Sequence, residues 1–85
     1  MKIDQIRSSL ATAAPSMVAH FDYWCRQGAN GRANAAGFSD LALRHGTRPA
    51  KCWSLATAAV EAMERGDQHR AGRYVSDISA VTMDE

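Results

Sequence analysis

The chain has 85 residues, a formal net charge of +1 and 22% charged residues. A chain this short forms one domain, residues 1–85, and buries only roughly 60–65% of its unfolded surface, which leaves little room for a large enclosed active site. Six Gly and two Pro are too few for a low-complexity chain, and many Ala with few β-branched residues favour helix.

The first helix is expected over residues 2–13, where Ile3, Ile6, Leu10 and Ala13 recur three to four apart. Ala14-Pro15 should end it, because proline disfavours helical geometry in the residue before it. Pro15 or Ser16 then opens a second helix to about Gln27. Met17, Val18, Phe21, Trp24 and Cys25 fall within an arc of about 120° on it. Phe21 and Trp24 are expected core anchors. Tyr23 faces away and should be at least partly exposed. Gly28 ends this helix.

Residues 28–37, GANGRANAAG, read as the longest connection, with a turn signal at Asn30-Gly31. Its three glycines do not form a phosphate cradle, since no Gly-Lys-Ser/Thr follows them. Ser39 is then expected to cap a short helix from Asp40 to about His45, stopped by Gly46.

The segment Thr47–Arg65, TRPAKCWSLATAAVEAMER, carries the longest helical pattern. Thr47 is the expected N-cap, Pro49 falls in the first turn where its missing N–H costs nothing, and Gly66 suits the left-handed residue that closes a helix. At about 100° per residue, Cys52, Leu55, Ala56, Ala59, Ala62 and Met63 share one face, with Val60 and Trp53 at its edge. Ser54, Thr57, Glu61 and Glu64 are placed opposite. This apolar arc spans about half the circumference, enough to pack on two neighbours at once.

Gly66-Asp67 predicts a tight reversal with Asp67 as N-cap, and a last helix to about Val81. Ala71, Tyr74, Val75, Ile78 and Val81 share its apolar arc. Gly72 in its interior should permit a close contact. Gly66-Asp67, Ala71 and Tyr74 resemble the turn and packing spacing of a tetratricopeptide hairpin. A single unit cannot cover its own core, so the resemblance implies an αα-hairpin rather than a repeat array. The fold class expected is therefore all-α, a compact bundle of four or five short helices ending in an αα-hairpin.

Residues 38–57, FSDLALRHGTRPAKCWSLAT, resemble a helix-turn-helix DNA-binding motif. Ala42, Gly46, Cys52 and Leu55 stand where that family places its small residue, its turn glycine and the apolar residues that hold the second helix. Leu41 is the expected apolar neighbour. The resemblance implies that Arg48, Ala50, Trp53, Ser54 and Thr57 face the major groove, with Arg48 and Lys51 reaching phosphate or a guanine edge. Against it, Thr47 stands where the family buries an apolar residue. Glu61 and Glu64 continue the same face, where carboxylates repel phosphates.

Charge is unevenly spread. Residues 26–51 carry Arg26, Arg32, Arg44, Arg48 and Lys51 against Asp40, about +4, whereas residues 52–85 sum to about −3. The middle can meet an acidic partner. Cys25 and Cys52 belong to no CxxC pair and read as buried free thiols. His20, His45 and His69 show no metal-ligand spacing, nothing pairs a nucleophile with a base, and no cofactor is implied. The start of the chain, MKIDQIRSSL, has no apolar core of a signal peptide, and no apolar run approaches the ~18 residues of a membrane span. A cytoplasmic location is expected.

The leading expectation is a non-enzymatic protein-binding module, an adaptor or inhibitor of the size found among phage and plasmid regulators. It would meet an acidic protein surface through Tyr23, Arg44, Arg48, Lys51 and Trp53. The alternative is a helix-turn-helix DNA-binding regulator using Arg48, Ala50, Lys51, Ser54 and Thr57. The sequence leaves open whether the bundle completes its core as a homodimer.

Overall fold

The computed structural model describes residues 1–32, 35 and 37–83. It is all-α. In chain order the helices are α1 (Ile3–Ala13), α2 (Val18–Gly31), α3 (Phe38–His45), α4 (Thr47–Glu64) and α5 (Gln68–Met83), with a 3₁₀ turn Pro15–Met17 leading into α2. The molecule measures 31 × 28 × 17 Å. Its thickness is less than two helix diameters, so one helix can touch all the others. That helix is α4, which packs against α1, α2, α3, α5 and the 3₁₀ turn.

The reason lies in its side chains. Ala50, Cys52, Ala56, Ala59, Val60 and Ala62 are fully buried, and small residues let several backbones approach one helix closely. Trp53 is 7% exposed and belongs to the core. Thr57 is 6% exposed, which corrects its expected place on the polar face. Its hydroxyl donates to the Ser54 carbonyl at 2.9 Å, so the polar group is satisfied inside its own helix.

α1 contributes Ile6 and Leu10 to the core, and α2 contributes Phe21 and Trp24. The Arg7 guanidinium donates to both Asp22 carboxylate oxygens at 2.9 and 3.0 Å, tying the two helices together at the surface. Gly28, with φ 70° and ψ 173°, breaks α2 as expected. A further helical turn then follows to Gly31. Asn30-Gly31 therefore continues a helix instead of making a reversal, and part of the expected connection, residues 33, 34 and 36, lies outside the described residues.

Two caps stand one or two residues earlier than expected. α3 begins at Phe38 with Gly37 as N-cap, not Ser39. α4 begins at Thr47 with Gly46 as N-cap, not Thr47. At φ 101°, Gly46 closes α3 and opens α4 within a single residue: its N–H donates to Ala42 O at 2.9 Å, and its carbonyl accepts from Ala50 N at 3.3 Å. A residue other than glycine is strained in that conformation, so glycine displaces the threonine next to it.

The α4–α5 reversal follows the expectation. Gly66 has φ 83°. Its N–H donates to Met63 O at 3.0 Å, and Asp67 N–H donates to Ala62 O at 2.9 Å, the paired bonds of a Schellman closure. Asp67 Oδ1 then accepts from Arg70 N at 3.0 Å, capping α5. Ala71 and Ile78 are fully buried, and Tyr74 and Val75 are half-buried. The helix continues two residues past Val81 to Met83. Gly72 serves no close helix contact: a Cβ there would meet only the Met1 side chain, at 3.9 Å. Cys25 and Cys52 are both free thiols. Among the described residues no helix is long and apolar enough to cross a membrane.

Candidate partner-binding surface at the α3–α4 corner

The single-residue joint at Gly46 fixes what surrounds it. α3 buries Leu41 against the core. Successive helical residues turn by about 100°, so Leu43, two positions on, must point outward. It is 87% exposed, the most exposed large apolar side chain described. Arg44 follows it and is exposed. On α4, the solvent-facing strip runs Thr47, Lys51, Ser54, Ala58 and Glu61, spaced three to four apart. Lys51 is exposed, and Ser54 and Ala58 are half-buried.

The His20 and His45 rings meet edge to face, with centroids 5.1 Å apart and planes at 67°. This contact brings α2 beside the C-terminal end of α3. Tyr23, one turn beyond His20, is 50% exposed, and exposed Arg26 lies one further turn along α2. Phe38, on the His45 side of α3, is 40% exposed. The contact joins α2 to α3 through two residues that nothing in the sequence pairs.

The five candidate partner-binding residues separate accordingly. Tyr23, Arg44 and Lys51 lie at the surface. Arg48 is half-buried and makes interactions of its own. Trp53 is removed from the set, because its ring is buried and its indole Nε1 is covered with no acceptor among the described residues. A side chain packed into the core cannot anchor a partner. Leu43 and Phe38 are additions. Leu43 carried a readable signal, since Leu41 and Leu43 cannot face the same way in one helix.

The candidate DNA-reading set is also divided. Ala50 is fully buried and Thr57 nearly so, so neither can face a groove, and Trp53 is turned inward with them. Arg48, Lys51 and Ser54 retain surface. The burial follows from α4 being the hub of the bundle: the flank that carries Ala50, Trp53 and Thr57 is covered by neighbouring helices.

Of the cations in the middle of the chain, Arg48 makes interactions of its own and Arg32 is held in an ion pair. Arg32 forms a forked pair with Glu64, 2.7 and 3.2 Å, and its guanidinium lies 4.0 Å over the Trp24 ring. Arg44 and Lys51 form no salt bridge among the described residues, and neither does Arg26. Among the described residues no three His, Cys, Asp or Glu side chains converge on a point. Comparison with models of known protein families, with curated proteins and with solved structures finds no match to this chain.

Proposed function

We propose that this protein is a small non-enzymatic protein-binding module that acts by occupying a partner's surface, as an adaptor or inhibitor. The contact surface is the α3–α4 corner with the adjoining edge of α2. The observation that carries the reading is Leu43, 87% exposed and immediately followed by Arg44, with Lys51 across the Gly46 joint. Tyr23 on α2 and Phe38 on the His45 side of α3 are exposed elsewhere on the bundle. An exposed leucine standing alone is ordinary, but an arginine beside it supplies a residue type enriched in binding hot spots. The reading of α4 as a DNA-recognition helix is disfavoured by the burial of Ala50, Trp53 and Thr57.

The test is a selection of random displayed peptides on the full chain, followed by measurement on two variants, L43S and R44E. Enriched peptides should lose about tenfold or more in affinity on each variant, the loss expected for a central contact. No enrichment, or binding that ignores both substitutions, would overturn the reading.

A further inference from the structure

We propose that His20 and His45 form a two-histidine site for a zinc ion, which clips α2 to the C-terminal end of α3. The site does not depend on the Leu43 surface. The first argument is distance. The two ring centres lie 5.1 Å apart. A zinc–nitrogen bond of about 2.0–2.1 Å places each imidazole centre about 3.2 Å from the ion. Two imidazoles at a tetrahedral angle then have centres about 5.2 Å apart, against about 4.5 Å for neighbours in a square plane. The observed separation matches the tetrahedral arrangement, which suits zinc better than Cu(II) or Ni(II). The rings meet edge to face at 67°, and ligation needs a nitrogen of each aimed at one point. Rotation about Cβ–Cγ, a soft torsion in histidine, re-aims the nitrogens. It leaves each ring centre in place, because the centre lies close to that axis.

The second argument is availability. His45 is exposed and His20 is half-buried, so an ion reaches the pair from solvent. Neither ring is held by a hydrogen bond or an ion pair among the described residues. Each neutral imidazole therefore keeps a nitrogen lone pair for a metal. No third His, Cys, Asp or Glu side chain joins them among the described residues. Water completes the coordination, and the ion exchanges readily. His20 and His45 are 25 residues apart in the chain, which is why no local spacing announces the pair. Bound zinc closes that stretch and holds α2 against α3, so it stabilises the folded state by mass action. The third histidine, His69, lies on α5, which packs on α4 and α1, and serves as the internal control.

The experiment uses the intact protein without an affinity tag. Zinc is titrated by calorimetry and added to thermal melts, with magnesium as the hard-cation control. Variants are H20Q, H45Q and H69Q, with C25S to test the half-buried thiol, and circular dichroism verifies that each folds. One zinc should bind per chain. It should raise the melting temperature by about 4–8 °C once its concentration is about fivefold above the dissociation constant. Magnesium should leave the melt unchanged. H20Q and H45Q should each lose at least about tenfold in zinc affinity, together with the rise in melting temperature, and H69Q and C25S should keep both. Zinc affinity unchanged in either H20Q or H45Q would overturn the shared site. So would an equal loss in H69Q or C25S. A melt and a calorimetric trace that millimolar zinc does not move would overturn it as well.

Discussion

The Arg32 guanidinium is held on two sides at once: it forks onto the Glu64 carboxylate at 2.7 and 3.2 Å and lies 4.0 Å over the Trp24 ring. Its side chain is 13% exposed, against 47% for Glu64. The pair joins the turn after Gly28 to the last turns of α4, 32 residues away in sequence. It therefore anchors the chain where α2 has already broken.

A double-mutant cycle on Arg32 and Glu64 should give a coupling of about 1 kcal/mol. That is the upper end for partly exposed pairs, since Glu64 remains half in water. Arg32→Lys should lose most of what Arg32→Ala loses, because a lysine neither forks onto a carboxylate nor stacks flat on an indole. Urea unfolding measures both. A lysine variant as stable as wild type would show that only the charge matters.

Acid should weaken the fold through two carboxylates. A hydrogen bond from Arg32 holds Glu64 below its usual value, and one from Arg7 does the same for Asp22. A depressed carboxylate stabilises the folded state fully above its unfolded pKa, about 4. That contribution is lost as pH falls through the lower folded value. Stability should thus be flat near neutrality and fall below about pH 4. In a variant carrying Glu64→Gln and Asp22→Asn, the fall should be shallower. An unchanged acid limb in that variant would assign it to other groups.

The glycines of this chain should respond with opposite signs. Gly72→Ala should stabilise by about 0.5–1 kcal/mol, since α5 is helical there and the added methyl meets only Met1 at 3.9 Å. Gly46→Ala should destabilise by about 1 kcal/mol or more, because φ 101° strains any side chain. Thermal melts of the two variants decide. A destabilised Gly72→Ala would mean that α1 and α5 lie closer than described.

Phe21 is completely buried. Phe21→Ala should cost about 3–5 kcal/mol, which in a domain this small approaches its whole stability. The midpoint of urea unfolding should drop accordingly. A near-neutral result would place the ring outside the core.

The two thiols should be protected unequally. Cys52 is fully buried. Cys25 is half-buried, and desolvation raises its pKa, which reduces the reactive thiolate at neutral pH. A chromogenic disulfide reagent should label Cys25 slowly in the native protein and Cys52 only on unfolding. Rapid labelling of both would contradict the packing of α2 against α4.

Much of this architecture is written locally. Pro15, Gly28, Gly46 and Gly66 mark the helix limits through steric rules that act within a few residues. The paired bonds around Gly66 and the Asp67 cap follow from the same rules. The cap of α4 shifted because Gly46, beside Thr47, takes the position that needs φ 101°, whereas Gly37 caps α3 in ordinary extended backbone and the shift from Ser39 has no steric cause of that kind. Thr57 escaped because periodicity scores a hydroxyl as polar, whereas a hydroxyl bonded to its own helix can be buried like a valine. Arg32 and Glu64 escaped because no local pattern announces a partner 32 residues away. At the candidate surface, Arg44 and Lys51 were readable as uncancelled charge. The placing of α2 beside α3 was not, since it depends on how His20 meets His45.

The place of α4 in the chain has a consequence for synthesis. It is the fourth of the five α-helices among the described residues, yet it is the floor on which α1, α2 and α3 lie. Until residues 47–64 have left the ribosome, the helices before them lack the surface that α4 provides. The fold must therefore wait for nearly the whole chain and then close in one step. A nascent fragment ending before Glu64 would present Ile6, Leu10, Phe21 and Leu41 to solvent, and chaperones or proteases would meet it in that state.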